Sequence, residues 1–187
     1  MLEIILKILI SYCLGSIMGA MVMGKFYGGI DIRSMGSGNA GGTNALRTQG
    51  VWFALGVIVI DIGKGILAAG FIPNVNFPFF DGISEQSDLW LVVFCASASV
   101  IGHVWPLYHH GRGGKGAATL IGTLIIIAPF LLLPVLVVWF FVLFLSGFVG
   151  LATIFAAASA PTIIALQGID DLALFVYCVV MAFYLLF

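Results

Sequence analysis

The chain has 187 residues, 62% of them hydrophobic and only 8% charged, with a mean hydropathy of +1.21. So few charges cannot cover the surface of a soluble domain of this length, which excludes a soluble enzyme and points to a polytopic helical membrane protein. The net charge of −1 says nothing about partners, and no basic run marks a nucleic-acid partner; only the placement of the charges is informative.

Residues 2–23 form the first apolar segment. Its length, Glu3 beside Lys7 and the lack of a small-residue cleavage site favour a membrane helix over a signal peptide. Gly15, Ser16, Gly19 and Ala20 give it a small-residue face for close helix packing. A glycine-rich loop follows over residues 30–47. The second helix is expected over 51–72 and carries Asp61 and Lys64, three apart on one face and therefore able to pair inside the membrane. Residues 73–88 form an acidic loop with Asp81, Glu85 and Asp88. The third helix covers 89–105 and leads into Pro106 and a second glycine-rich loop, Gly111-Arg112-Gly113-Gly114-Lys115-Gly116. Four further helices are expected over 115–129, 130–145, 148–166 and 172 to the end, with Pro129 and Pro134 bracketing the join between the first two.

Charge orients these segments. Lys25, Arg33 and Arg47 lie in the first loop and Arg112 and Lys115 in the third, whereas the second and sixth loops hold only acids. The positive-inside rule then places both glycine-rich loops in the cytoplasm. The expectation is an all-α membrane protein of seven transmembrane helices, N-terminus outside and C-terminus cytoplasmic. Residues 1–187 would form a single domain, since no hydrophilic stretch is long enough to fold alone.

The loop at 30–47 holds four glycines between two apolar segments, with Ser37, Asn39, Thr43 and Asn44 as side-chain donors and acceptors. Glycine admits positive φ and close ligand approach, and successive amides can form a concave anion site. Arg33 and Arg47 add planar forks suited to phosphate. If the loop wraps a phosphate, Gly38 or Gly41 should take a positive φ or lie against the ligand; the rival reading is a flexible hairpin. Gly36-Ser37-Gly38-Asn39-Ala40-Gly41 formally matches G-x-G-x-x-G, but between membrane helices it opens no βαβ unit. Gly113-Gly114-Lys115-Gly116 lacks the spacing of a Walker loop.

Cys13, Cys95 and Cys178 lie in apolar segments without metal spacing and are read as packing residues. His109 and His110 read as solvated loop residues without a metal partner, and His103 as a cap or loop anchor. None of the three has an aspartate five positions on, which removes the soluble-domain phospholipid acyltransferases as a motif match.

The run Gly36-Ser37-Gly38-Asn39-Ala40-Gly41-Gly42-Thr43-Asn44-Ala45-Leu46-Arg47 resembles the first motif of the bacterial membrane glycerol-3-phosphate acyltransferases of the PlsY type, with Gly42 where alanine is usual. Gly102-His103-Val104-Trp105-Pro106, followed by Gly113-Gly114-Lys115-Gly116-Ala117-Ala118-Thr119, resembles the second motif, and Asp61-Ile62-Gly63-Lys64-Gly65 that family's second helix. The third motif departs. A basic-aromatic-x-Ser-Leu-x-Ser stretch is replaced by Gly147-Phe148-Val149-Gly150-Leu151-Ala152-Thr153, with Gly150 in place of a serine. The family's Arg-His-x-x-Asn segment would begin where this sequence stops, at Phe187, and truncation and true absence read alike here.

The resemblance implies transfer of a fatty acyl group from acyl phosphate to the 1-hydroxyl of sn-glycerol 3-phosphate, giving lysophosphatidate and phosphate. It implies Ser37, Arg47 and Lys115 as catalytic residues. Phosphate or substrate contacts would come from Gly36, Gly38, Asn39, Gly41, Thr43, Asn44, His103, Gly113, Gly114, Gly116 and Thr119. No metal and no cofactor is implied. The setting would be the cell membrane, with the site on the cytoplasmic face and an association with the enzyme that makes acyl phosphate. Two other readings share these residues: a transporter or binding protein for phosphorylated metabolites, and a weakened paralogue that only binds. A transporter usually places such loops at the midplane within inverted repeats, and no repeat is visible here.

Overall fold

The first helix is built inside out. In the computed structural model, which describes residues 1–77 and 88–186, α1 (Leu2–Gly15) buries Glu3, Lys7, Ser11 and Gly15 and turns its isoleucines and leucines outward. Four positions at a spacing of four form one stripe of a 3.6-residue helix. An apolar exterior around a polar seam is what lipid requires and water would not allow. Lys7 pairs with Glu3 at 2.9 Å and donates to the Pro73 carbonyl at 2.9 Å, so the charge at this end is satisfied inside the bundle.

Every regular element among the described residues is helical. After α1 come α2 (Gly19–Phe26), α3 (Gly42–Gln49) and α4 (Val51–Ile66), which continues through a π turn and a 3-10 turn to Asn74. Then follow α5 (Leu89–Val104), α6 (Ala117–Ile127), α7 (Pro129–Ser146), α8 (Val149–Gln167) and α9 (Leu172–Leu186). Asp81 and Glu85, part of the expected acidic outer loop, lie outside the described residues.

Among the described residues, four segments are long and apolar enough to cross a membrane: Val51–Asn74, Leu89–His109, Pro129–Ser146 and Val149–Gln167. The pair α1–α2, bent by 45°, makes a fifth if taken as one span. Seven such segments were expected from the sequence. The difference lies in α6, with 11 residues, and α9, with 15, each shorter than the ~20 residues that cross ~30 Å of hydrocarbon.

The expected unbroken helix over 2–23 is interrupted at Ser16–Met18, and the break has a local cause. α1 and α5 cross so closely that a methyl group on Gly15 would strike the backbone of Ser99, and one on Gly102 the Tyr12 carbonyl. Polar side chains from other helices then take the backbone groups the break releases. Lys64 Nζ donates to the Ile17 carbonyl at 2.7 Å, and the Gly19 amide donates to Asp61 Oδ1 at 3.1 Å. Asp61 and Lys64 form the expected buried pair, 3.0 Å apart and with side chains 1% and 3% exposed. α4 in turn meets α6 through Gly65 and Gly122, whose α-carbons face the backbones of Thr119 and Ile62.

Residues group into two compact units, Met1–Thr123 and Leu124–Phe187. In the first, Phe53, Val57, Met18, Ala20, Ile32, Ala40 and Ala45 form a core beneath the glycine-rich loop. In the second, α8 packs against α7 and α9, and Trp139 Nε1 donates to Thr153 Oγ1 at 3.2 Å. Pro129 opens α7 at a position where its missing N–H costs nothing, and Gly147 closes it at φ 71°.

Removing one member of the Asp61–Lys64 pair strands a charge in low dielectric, at a cost of ~3–5 kcal/mol. Asp61→Asn and Lys64→Met should each lower the melting temperature in detergent, and the double variant should lose less than the sum. A double variant as unstable as the two singles added together would show the residues to be independent.

Candidate functional site

The stretch 24–50, between the first two expected helices, was expected to be a loop throughout, yet α2 runs on to Phe26 and residues Gly42–Gln49 form α3. Gly41 stands at its N-cap and Gly50, at φ 86°, closes it. The helix turns Asn44 and Ala45 inward and leaves Thr43 and Arg47, four residues apart on one face, in solvent. Its first-turn amides, among them Gly42 and Thr43, have no intrahelical acceptor and carry the positive end of the helix dipole.

Asn44, 3% exposed, organises the first loop. Its Nδ2 donates to the carbonyls of Ile32 and Met35 at 2.9 and 3.0 Å, and its Oδ1 accepts from the Ser37 amide at 2.9 Å. All three polar functions are engaged, so Asn44 shapes the loop and has nothing left for a phosphate. The Gly38 amide donates to Met35 O at 3.0 Å. The amides of Ser37 and Gly38 therefore do not form the expected nest. Gly36 and Gly38 do take positive φ, at 56° and 73°, whereas Gly41 does not. The hydroxyl of Ser37 and the side chain of Asn39 remain at the surface of the loop.

The second loop is held in the same manner. Gly113 and Gly114 donate to the carbonyls of Val104 and His103 at 3.1 and 3.2 Å, closing the C-terminal end of α5. A methyl group on Gly114 would run into the His103 ring, and one on Gly113 into the backbone of His103 and Val104. These glycines are close-packing residues, and their amides are occupied. Gly116, at φ 85°, ends the loop against Val100 and begins the approach to α6.

Beneath this loop lies a feature the sequence did not reveal. His103 is 2% exposed, and its Nδ1 sits 2.7 Å from Lys64 Nζ and 3.4 Å from Asp61 Oδ1. Lys64 thus directs its three donors to Asp61, Ile17 and His103. Histidine and loop are tied to the same charges that bridge the break between α1 and α2. Tyr12, donating to Trp105 O at 2.8 Å, and Ser16 Oγ, accepting from the Leu107 amide at 3.1 Å, secure the loop's entry. His103 is therefore a buried support and does not face a soluble ligand. Thr119 is fully buried as well, with no hydrogen-bond partner for its hydroxyl among the described residues.

The two loops meet. Arg33 Nη1 donates to the Arg112 carbonyl at 3.1 Å, while Nε and Nη2 grip Asp31 at 2.8–3.2 Å. That hydrogen-bonded pairing holds the Asp31 carboxyl below the usual carboxylate range and raises the Arg33 guanidinium further. Arg33, read from sequence as a phosphate fork, is instead the clasp between the loops. Around it opens a cleft of about 690 Å³ lined by Asp31, Arg33, Ser34, Gly38, His109, His110, Arg112 and Gly113. Arg47 and Lys115 are both exposed and make no hydrogen bond or ion pair among the described residues. Both loops thus lie at one end of the first unit and offer uncommitted cations.

The arrangement has solved counterparts. A crystal structure of PlsY, an integral membrane glycerol 3-phosphate acyltransferase in its glycerol 3-phosphate form, superposes with a TM-score of 0.80 at 28% identity, covering 98% of this chain and 86% of that one. The lysophosphatidic acid form of PlsY gives 0.79 at the same identity and coverage. Glycerol-3-phosphate acyltransferases of Chlorobium phaeovibrioides and Chlorobaculum tepidum are each 40% identical over 171 residues, spanning 89% of this chain and 72% of theirs. The family model described as Glycerol-3-phosphate acyltransferase matches residues 5–187, and the chain belongs to that family.

Proposed function

We propose that this protein transfers a fatty acyl group from acyl phosphate to the 1-hydroxyl of sn-glycerol 3-phosphate, releasing lysophosphatidate and inorganic phosphate. Family membership supports the acceptor. The observation that carries the site is the clasp of Arg33 on Arg112, which sets two cation-bearing loops side by side. One reactant is soluble and the other lipid-like, so a site at the membrane edge of an apolar bundle suits both.

The chemistry asks little of the protein beyond placement. The acceptor hydroxyl attacks the acyl carbonyl, the bond from carbonyl carbon to phosphate oxygen breaks, and the hydroxyl proton passes to the departing phosphate. Acyl phosphate is already activated, so orientation and charge stabilisation suffice without a covalent intermediate. Arg47 and the first-turn amides of α3 offer one phosphate position, with Thr43 on the same face, and Lys115 offers another. The Ser37 hydroxyl, carried on a loop fixed by Asn44, is free to orient the acceptor.

In this reading the whole chain works as one acyltransferase domain in the cell membrane. Seven membrane passages, an outer N-terminus and a cytoplasmic site agree with the distribution of Lys and Arg. Acyl phosphate would reach the site from the enzyme that makes it.

Purified protein given acyl phosphate and glycerol 3-phosphate should form lysophosphatidate and phosphate in equal amounts; no product would return the chain to a binding or transport role. Arg47→Ala and Lys115→Ala should each lose ~1.5–3 kcal/mol of transition-state stabilisation, roughly ten- to a hundredfold in kcat/KM. Near-parental turnover at matched expression would remove that residue from the site.

The glycines give a second test. Gly36 sits at φ 56°, and a methyl group there would press on the Asn44 amide and lie 2.9 Å from the Thr48 methyl. Gly36→Ala should therefore lose both thermal stability and activity. Gly41 has φ −94°, and its added methyl would come no nearer than 3.7 Å to Asn39. Gly41→Ala should keep its melting temperature and lose most acyl transfer, because only a ligand is left to crowd it. Full activity in Gly41→Ala would place the phosphate away from the start of α3.

A further inference from the structure

The cleft around Arg33 is not lined by Arg47, Thr43 or Lys115, the groups assigned above to the reacting substrates. It has the features of an anion site in its own right. Arg33 is spent, with its fork on Asp31 and its remaining nitrogen on the Arg112 carbonyl, so it makes a rigid and nearly neutral wall. The Arg112 guanidinium, by contrast, is exposed and makes no hydrogen bond or ion pair among the described residues.

His109 and His110 both line the cleft. His110 is the one non-glycine residue at positive φ among the described residues, at 54°. Such a conformation is strained for a residue with a side chain and persists only where the surroundings impose it. Here it sets two consecutive imidazoles at one opening. Burial, and after it the Arg33 guanidinium, holds the His109 imidazole below its ordinary pKa, so it meets an anion chiefly as an N–H donor beside the Arg112 charge.

We propose that this cleft binds a phosphate dianion through Arg112, His109 and His110, as a station beside the reaction site for phosphate-bearing molecules entering or leaving it. The choice of ligands rests on the acyl-transfer reading, since both the acceptor, glycerol 3-phosphate, and the second product, inorganic phosphate, are small phosphate dianions. A volume of about 690 Å³ admits either. A fatty acyl chain would find two arginines, an aspartate and two imidazoles there, so the donor's lipid end is excluded.

The test uses the full chain in lipid nanodiscs with 13C-labelled histidine, the three resonances being assigned by single His→Gln variants. Inorganic phosphate, glycerol 3-phosphate and chloride are titrated at matched ionic strength. Both phosphates should shift His109 and His110 saturably, chloride should not, and the buried His103 should stay still. Arg112→Gln should weaken the midpoint by roughly fivefold or more, the loss of about one charge-assisted hydrogen bond, with the His103 resonance again unmoved. Tighter binding of glycerol 3-phosphate supports a station on the way in, and equal or tighter binding of inorganic phosphate supports one on the way out. Shifts no larger than those from chloride, or equal midpoints in the parent and Arg112→Gln, would overturn the proposal. Phosphate-specific shifts in a protein that forms no lysophosphatidate would leave the cleft standing and remove the acyl-transfer reading instead.

Discussion

The buried contact among Asp61, Lys64 and His103 holds the first unit together at its most vulnerable place. A helix that breaks inside hydrocarbon exposes carbonyls and amides that water cannot reach, at several kcal/mol for each unsatisfied group. Here the break between α1 and α2 is answered from α4, with Lys64 on the Ile17 carbonyl and Asp61 on the Gly19 amide. An ammonium with three acceptors and a carboxylate with two donors on one oxygen make the charge tolerable. The same lysine then fixes His103, and Gly114 lies directly on that ring. One side chain thereby couples the path of the first helix to the position of the second glycine-rich loop.

The amides of both glycine-rich loops are largely engaged inside the protein. Two glycine-rich loops suggest two nests of backbone donors, but Ser37, Gly38, Gly113 and Gly114 all donate internally. Loops rich in glycine carry a large conformational entropy cost on ordering. Internal hydrogen bonds meet that cost before any ligand arrives, so the loops are shaped in advance. In the proposed reading, the donors that meet a substrate are then exposed side chains, Arg47, Lys115, Ser37 and Thr43, and the first turn of α3. A preformed site of this kind loses less freedom on binding than a mobile hairpin would.

Much of this was legible in the sequence, and the misses have physical reasons. The long helices α4, α5, α7 and α8 announce themselves by uninterrupted apolar length, and Asp61 with Lys64 by a spacing of three in such a run. The helix break at Ser16–Met18 was not legible, because Gly15 and Gly19 read as packing residues and the groups that stabilise the break lie more than forty positions away. α3 was hidden by a composition of glycine, threonine and asparagine, residues of poor helix propensity that its docking on Phe53 and Ile58 overrides. The buried Glu3–Lys7 pair had a local signal, a spacing of four, which reads equally well as the charged start of an exposed helix. Arg33 was misjudged as a phosphate ligand although Asp31 stood two residues before it. An acid that close to an arginine in a turn is itself a warning that the fork is taken.

The charge inventory joins fold and function. Of seven basic residues, Lys7, Arg33 and Lys64 are paired with Glu3, Asp31 and Asp61. The four that remain are Lys25 at the end of α2, Arg47 on α3, and Arg112 and Lys115 of the second glycine-rich loop, all within the stretches expected from the sequence as the first and third loops. The five other acids of the sequence, Asp81, Glu85, Asp88, Asp170 and Asp171, fall in the stretches expected from the sequence as the second and sixth loops, Asp81 and Glu85 lying outside the described residues. The near-neutral total of −1 therefore conceals a segregation along the sequence, with bases in the first and third expected loops and acids in the second and sixth. Among the described residues, the charges buried in the helices are paired, Glu3 with Lys7 and Asp61 with Lys64, because an isolated one could not be solvated there. Outside the bundle, Arg47, Arg112 and Lys115 are exposed and make no ion pair among the described residues, and cations within a Debye length of ~8–10 Å of one another act together on an arriving anion. In the proposed reading, the cations that orient the chain by the positive-inside rule would also attract phosphate, so the topology signal and the binding signal of this sequence would be one feature.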